Sequence, residues 1–179
     1  MNYSKIIQHD IANGEGWRTT LFVSGCNNNC KGCFNQELQD FNYGEKFTMF
    51  TAQNILDMIN DNKISGLSIL GGDPLYQDCR GLIMLINLCK RVHYIGKTVW
   101  LWSGFTFEQL FDTYNNYEEI PDWKYRQELI KNVDVFIDGP FIEELSDPSL
   151  KWRGSSNQRI IDVKQTLQQN KIILWKEGI

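Results

Sequence analysis

The sequence predicts an α/β fold: a mostly parallel sheet with helical crossovers, bent into an open, partial β/α barrel. Three observations predict it. Apolar strand-like runs alternate with amphipathic helical segments along most of the chain, and that alternation means parallel strands joined by crossovers. The distinctive glycines and polar residues fall where strands would end, the rim on which β/α barrels carry their sites. The chain has 179 residues, short of the roughly 250 of a closed eightfold barrel.

Met1 to Asp10 reads as an edge strand or arm, and Asn13-Gly-Glu-Gly16 as a glycine-rich turn. Trp17 to Ser24 is the first strand, with Leu21-Phe22-Val23 at its centre. Gln36 to Phe47 is polar and reads as loop. Thr51 opens a helix whose Ile55, Leu56, Met58 and Ile59 fall at helical spacing. Leu67 to Leu70 is a short strand that leaves through Gly71-Gly-Asp-Pro74. Asp78 to His93 is a second helix, with Leu82, Ile83, Leu85, Ile86 and Cys89 largely on one face. Thr98 to Trp102 is a third strand, ending at Ser103-Gly104. Thr106-x-x-Gln109 has the capping-box pattern of a helix start, and residues 115–125 form a polar insert. Tyr125 to Lys131 reads as a short helix, and Val133 to Ile137 as a fourth strand leading to Asp138-Gly-Pro140. Glu143 to Leu150 is loop, Ile160-Ile161 is strand-like, and Ile172 to Trp175 is expected to close the chain as a last strand.

Composition bounds the rest. Hydrophobic residues make up 42% and charged residues 22%, values of a globular chain, and residues 1–179 read as one domain. A net charge of −4 without a basic run argues against non-specific nucleic-acid binding. No apolar stretch is long enough to span a membrane, and the start has no apolar signal region. Five cysteines, three of them crowded together, are not a secreted disulfide framework. The expected compartment is the reducing cytoplasm.

The crowded three are Cys26, Cys30 and Cys33, spaced C-x3-C-x2-C directly after the first strand. A structural zinc site wants four ligands. A [4Fe–4S] cubane held by three thiolates leaves one iron open to bind a further molecule. The other readings are a zinc site completed by a distant residue and cysteines that merely pack. Cys89 reads as packing, and Cys79 is open between the two. Lys31 either offsets cluster charge or is a solvated loop lysine. His9 is one of two histidines, without a pattern around it.

Taken together, four stretches resemble the radical S-adenosylmethionine (SAM) activating enzymes, most closely the branch that activates anaerobic (class III) ribonucleotide reductase. They are Asn13-Gly-Glu-Gly-Trp-Arg18, Cys26 to Asn35, Gly71-Gly-Asp-Pro-Leu75 and Arg153-Gly-Ser-Ser-Asn-Gln-Arg159, supported by Trp102-Ser-Gly-Phe105 and Asp138-Gly-Pro-Phe141. The likeness runs from about residue 5 to 175. The wider superfamily has an aromatic residue before the third cysteine and often Glu in the glycine turn; here these are Gly32 and Asp73, as is familiar in the reductase-activating branch.

The resemblance implies an oxidoreductase of the radical SAM partial-barrel type. Cys26, Cys30 and Cys33 would hold one [4Fe–4S] cluster. Its open iron would chelate SAM, and one electron would cleave SAM to methionine and a 5′-deoxyadenosyl radical. That radical would take hydrogen from the Cα of a glycine on the reductase large subunit. Phe34, Gly71, Gly72, Asp73, Ser103 and Asp138 are the expected SAM contacts: backbone at Gly71 and Gly72 for the amino group, Phe34 for the adenine, Ser103 and Asp138 from strand ends. A Cβ at Gly72 would then obstruct the ligand. Arg153, Asn157 and Arg159 would bind the carboxylate, bind the partner or tie down a loop. A reduced flavodoxin-type protein would donate the electron; nucleic acid and membrane are not expected partners. Phe34, Phe105, Phe141 and Trp152 near the rim would suit a protein interface. A sibling enzyme acting on another glycyl radical enzyme or a small molecule, and a structural zinc-binding interaction module, are the alternatives.

Overall fold

The computed structural model describes residues 1–111 and 122–177. Most of the insert 115–125 therefore lies outside the described residues. Among the described residues seven strands form one sheet. They are β1 (Asn2–Asp10), β2 (Trp17–Ser24), β3 (Glu45–Lys46), β4 (Ile64–Gly71), β5 (Thr98–Trp102), β6 (Val135–Asp138) and β7 (Arg159–Asp162), in the order β3-β1-β2-β4-β5-β6-β7. The central strands β2, β4, β5 and β6 are parallel; β1, β3 and β7 are added antiparallel at the margins. The sheet is thus mixed, and parallel where the crossovers are.

Among the described residues there are five α-helices: α1 (Met49–Ile59), α2 (Cys79–Tyr94), α3 (Phe107–Phe111), α4 (Trp123–Lys131) and α5 (Val163–Gln169). The cap of α1 is Thr48, not the expected Thr51. Thr48 and Thr51 form a reciprocal capping box, which moves the start three residues upstream. Asp78 caps α2 through the Gly81 amide, and Thr106 with Gln109 caps α3 as expected. The segment 172–175 is not a regular strand. It lies along β7 with one bridge, Ile161 to Leu174, and the polar helix α5 precedes it.

The four parallel strands follow each other in chain order without reversal. Crossovers of one hand then place their helices on one face, and no strand-order reversal creates a binding crevice in mid-sheet. The core records this. Leu21, Val23, Leu67, Ile69, Val99, Leu101, Phe136 and Ile161 pack with α1, α2 and α4 residues such as Ile55, Leu85 and Leu129 in one aliphatic cluster. By the two-residue period of a strand, their neighbours face the other way. Trp100, Val135 and Ile137 form a separate small cluster there, covered by Trp102, Trp152, Ile160 and Trp175. Arg18 lies fully buried on this second face. Its guanidinium bonds to Ser68, the Leu67 and Thr98 carbonyls and the Thr98 hydroxyl, with Trp100 5.4 Å away. Burial without a carboxylate in contact lowers its pKa to about 9.

Candidate functional site

On that second face, at the C-terminal ends of the parallel strands, lies a cavity of about 470 Å³. That is within the usual range for small-molecule sites. It is lined by Phe22 of β2, Leu70 of β4 and Trp102 of β5, which share the outward parity of their strands. Cys26, Cys30 and Cys33 stand on one side, the Gly71-Gly72-Asp73 turn and Ser103-Gly104 on another. The segment after β6 completes the lining through Gly139, Phe141, Trp152, Arg153, Gly154 and Gln158, and touches the cysteine loop where Phe141 meets Phe34.

The cysteine loop is shaped by three residues with positive φ: Gly25 (102°), Asn29 (48°) and Gly32 (69°). It is pinned from both sides. Asn28 Nδ2 donates to Asp73 at 3.1 Å, and the Tyr76 hydroxyl donates to Asn28 Oδ1 at 3.0 Å. Asn35 Nδ2 donates to the Gly71 carbonyl at 3.1 Å. The Asn28 and Asn35 amides donate to the sulfurs of Cys26 and Cys33, each at 3.4 Å. Such N–H···S bonds favour anionic sulfur. Burial, then Asp73 and the neighbouring cysteines, push the Cys26 thiol up to about 12, and burial raises Cys30 as well. Iron would reverse this, since coordination displaces the thiol proton.

The donor set therefore fits an iron–sulfur cluster: three thiols on one cavity, main-chain amides on the sulfurs, and space beside them. The chain's two histidines lie elsewhere. His9 sits against Trp17 and Asp61, and His93 pairs with Asp134 at 2.8 Å. Neither offers a fourth ligand for zinc at this cavity. Cys79 begins α2, and Cys89 is in the aliphatic core.

Asp73 is the clasp of the strand ends. Its buried carboxylate accepts from the Leu75 amide (2.9 Å), Asn28 Nδ2, the Ser103 hydroxyl (2.9 Å) and the Gly104 amide (2.9 Å). Burial raises its pKa against the pull of these donors. One carboxylate thereby joins the cysteine loop, the exit of β4 and the exit of β5. Ser103 is expected at the cavity and found there, but its hydroxyl is already committed to Asp73.

Gly71 and Gly72 are also at the cavity, for a reason the sequence did not contain. A Cβ on Gly72 would lie 2.6 Å from the Leu38 carbonyl and 2.7 Å from that of Gly25. The chain itself excludes a side chain there. A Cβ there would part the cysteine loop from the turn as well as stand beside the cavity.

Asp138 does not line the cavity. The strand period puts it on the face of Phe136, toward the helices. There it accepts from the Phe107 amide at the start of α3 and from Arg159, which also grips Glu108. Phe34 is at the rim, 78% exposed, its ring 5.3 Å from Phe141. Phe105 instead packs between Tyr76 and Trp123. Lys31 pairs with Glu143 at 2.8 Å and does not line the cavity. Asn28, Asn35, Trp102 and Gln158 lie in the stretches that carry the resemblance, but sequence reasoning gave them no role of their own. The outward parity of Trp102 at a strand end was the one available signal.

The comparisons agree with this geometry. A family model described as "4Fe-4S single cluster domain" matches residues 12–161. The chain is similar to proteins named "Anaerobic ribonucleoside-triphosphate reductase-activating protein" from several organisms. The Vibrio cholerae protein is 39% identical over 164 residues, 89% of this chain and 97% of the relative. The Escherichia coli K12 protein is 37% identical, over 88% of this chain and 96% of the relative. The Enterobacteria phage T4 protein is 36% identical, over 89% and 93%.

Proposed function

The chain belongs to the family of anaerobic ribonucleoside-triphosphate reductase-activating proteins, and from that premise we propose how its residues serve that function. It is an oxidoreductase with an iron–sulfur cluster that activates the anaerobic reductase. We read residues 1–179 as one radical SAM domain of the partial-barrel type, working in the cytoplasm with a flavodoxin-type electron donor. The observation that carries the reading is the meeting of all three motif cysteines with the glycine turn on one cavity at the strand ends.

Cys26, Cys30 and Cys33 are the proposed iron ligands, and main chain at Gly71 and Gly72 is the proposed contact for the methionine part of SAM. When bound, the cluster supplies the electron that cleaves SAM and so generates a glycyl radical on the reductase. The chain's own residues hold and shield. The Asn28 and Asn35 amides stabilise negative charge on two sulfurs. Asp73 fixes three strand ends in mutual register, the positioning that catalysis of this kind needs. The segment 139–158 contributes Gly139, Phe141, Trp152, Arg153, Gly154 and Gln158 to the cavity lining. The exposed ring of Phe34, beside Phe141, is where a glycine-bearing loop of the reductase would close the mouth.

The test mixes this protein, SAM, a reductant and the reductase without oxygen and records the electron paramagnetic resonance spectrum. A doublet that collapses on deuteration of the target glycine Cα is expected. SAM cleavage with consumption of a small molecule and no protein radical would replace this reading with the sibling enzyme.

A further inference from the structure

We propose that Ser155, Asn157 and Gln158 are positioning residues: they hold the main-chain amide of Phe141 on the sulfur of Cys30, and so make a cluster bound there easier to reduce. The inference rests on the function proposed above and gives the run 153–159 a task beyond its share of the cavity lining.

The three motif sulfurs receive their amides differently. Cys26 and Cys33 take theirs from within the cysteine loop, two residues on, at Asn28 and Asn35. The Cys30 sulfur is met by its own amide and, more strongly, by that of Phe141. Phe141 lies beyond β6, so its amide stays on the sulfur only while two separate segments stay together.

The segment after β6 is gripped on both sides of Phe141. Gln158 Nε2 donates to the Gly139 carbonyl at 3.0 Å, and Asn157 Nδ2 to the Pro140 carbonyl at 2.8 Å. The Ile142 amide donates to Ser155 Oγ at 3.2 Å. Residues 139, 140 and 142 are thus fixed by side chains of one run, and Phe141 between them sends its amide to the sulfur. The run is itself braced. The Gly154 and Ser155 amides donate to Gln158 Oε1. The chain enters through Trp152 at φ 59°, whose carbonyl accepts from Trp102 Nε1 at 2.7 Å. A bulky residue keeps such a conformation only where its surroundings enforce it.

The cysteine loop comes up against this segment. The Phe34 and Phe141 rings are 5.3 Å apart, and Lys31 pairs with Glu143 at 2.8 Å. A Cβ on Gly32 would lie 2.6 Å from Glu143 Oε1, so the glycine before the third cysteine leaves room for that side chain. The exposed ion pair is worth little by itself; its place shows how near the two segments lie.

Reduction by an external one-electron donor makes the cluster and its sulfurs more negative. A hydrogen bond to sulfur is then stronger in the reduced state, and it raises the reduction potential. Water admitted to the sulfurs also favours the more negative state. Loss of the amide and entry of water therefore have opposite signs.

The experiment is an anaerobic redox titration of the reconstituted protein without SAM, read by electron paramagnetic resonance of the reduced cluster, with iron content as control. Phe141→Pro deletes the N–H, whereas Phe141→Leu deletes the ring and keeps it. At the wild-type midpoint, the ratio of reduced to oxidised cluster in Phe141→Pro should be about 3- to 10-fold lower. The larger value is a shift of about −59 mV for one electron. Phe141→Leu should titrate like wild type. Asn157→Ala, which changes no charge and keeps the amide, should lower the ratio about twofold. An unchanged or raised potential in Phe141→Pro at full iron overturns the inference, as does an equal shift in Phe141→Leu. If Phe141→Pro does not retain iron, Asn157→Ala decides: a lowered potential supports the inference, and an unchanged or raised one overturns it. A wild-type protein that takes up no [4Fe–4S] cluster would instead overturn the underlying function.

Discussion

The two faces of the sheet are built from the same strands and do opposite things. One face is Leu21, Val23, Leu67, Ile69, Val99 and Leu101 under α1, α2 and α4. The other holds Arg18, Ser68, Trp100 and Trp102, and is covered by loops and the C-terminal segment. Regular helices seal the first face with interchangeable aliphatic groups. Loops cover the second incompletely, and the gap they leave at the strand ends is the cavity. The difference teaches where change is tolerated: the helix face determines whether the chain folds, and the loop face determines what it binds.

The largest expected effect on stability comes from the helix face. Leu85 is fully buried in α2, and Leu85→Ala should cost about 2–5 kcal/mol. SAM cleavage per folded molecule should stay unchanged, as read by denaturant titration alongside an anaerobic assay. Loss of cleavage in a fully folded variant would break the separation of faces. A smaller loss of stability, with a larger one of activity, is expected at the clasp. Asp73→Asn turns an amide toward donors that need an acceptor, costing about 1–3 kcal/mol. It should also loosen the cysteine loop, so iron retention on gel filtration should fall with it. Intact iron binding would show that Asn28 and Asn35 suffice to hold the loop.

The smallest effect lies at the far end of the sheet. The hydrogen bond to Asp134 raises the His93 pKa despite partial burial. Asp134, though buried, is lowered by His93 and the Val99 amide. A raised histidine stabilises most below its unfolded pKa, about 6.5, and loses that contribution as pH rises through the folded value. His93→Gln should therefore remove a fall of about 1–3 °C in Tm between pH 6 and pH 8. An identical pH profile in the variant would show the pair to be neutral. SAM binding should not change.

Much of the parallel framework was legible, because strand and helix periods are local. The cysteine loop was legible as an iron–sulfur motif, and the glycine turn as a strand exit. What was not legible depends on distant partners. Asp73 and Asp138 look alike in sequence, each an aspartate just past an apolar strand. One clasps the cysteine loop; the other turns to Arg159, 21 residues later. The pleat distinguishes them, since Asp138 shares parity with Phe136. Helix α5 escaped notice because Val163-Lys-Gln-Thr-Leu-Gln-Gln169 buries little beyond Val163 and Thr166. The four apolar residues of 172–175 suggested a strand, yet Leu174 stays 55% exposed and a single bridge forms. Trp152 with its positive φ carries no local signal at all.

The most direct test of the two-face account uses the five cysteines, each changed singly to Ala and reconstituted with iron and sulfide without oxygen. Cys26, Cys30 and Cys33 line the cavity, while Cys89 lies in the aliphatic core and Cys79 at the start of α2. Iron per chain is the measurement, with about four expected for the intact cubane. The account predicts that Cys79→Ala and Cys89→Ala keep that value. It predicts that Cys26→Ala, Cys30→Ala and Cys33→Ala fall well below it while remaining folded by circular dichroism. A Cys30→Ala protein with full iron and normal SAM cleavage, or a Cys79→Ala protein without its cluster, would contradict it.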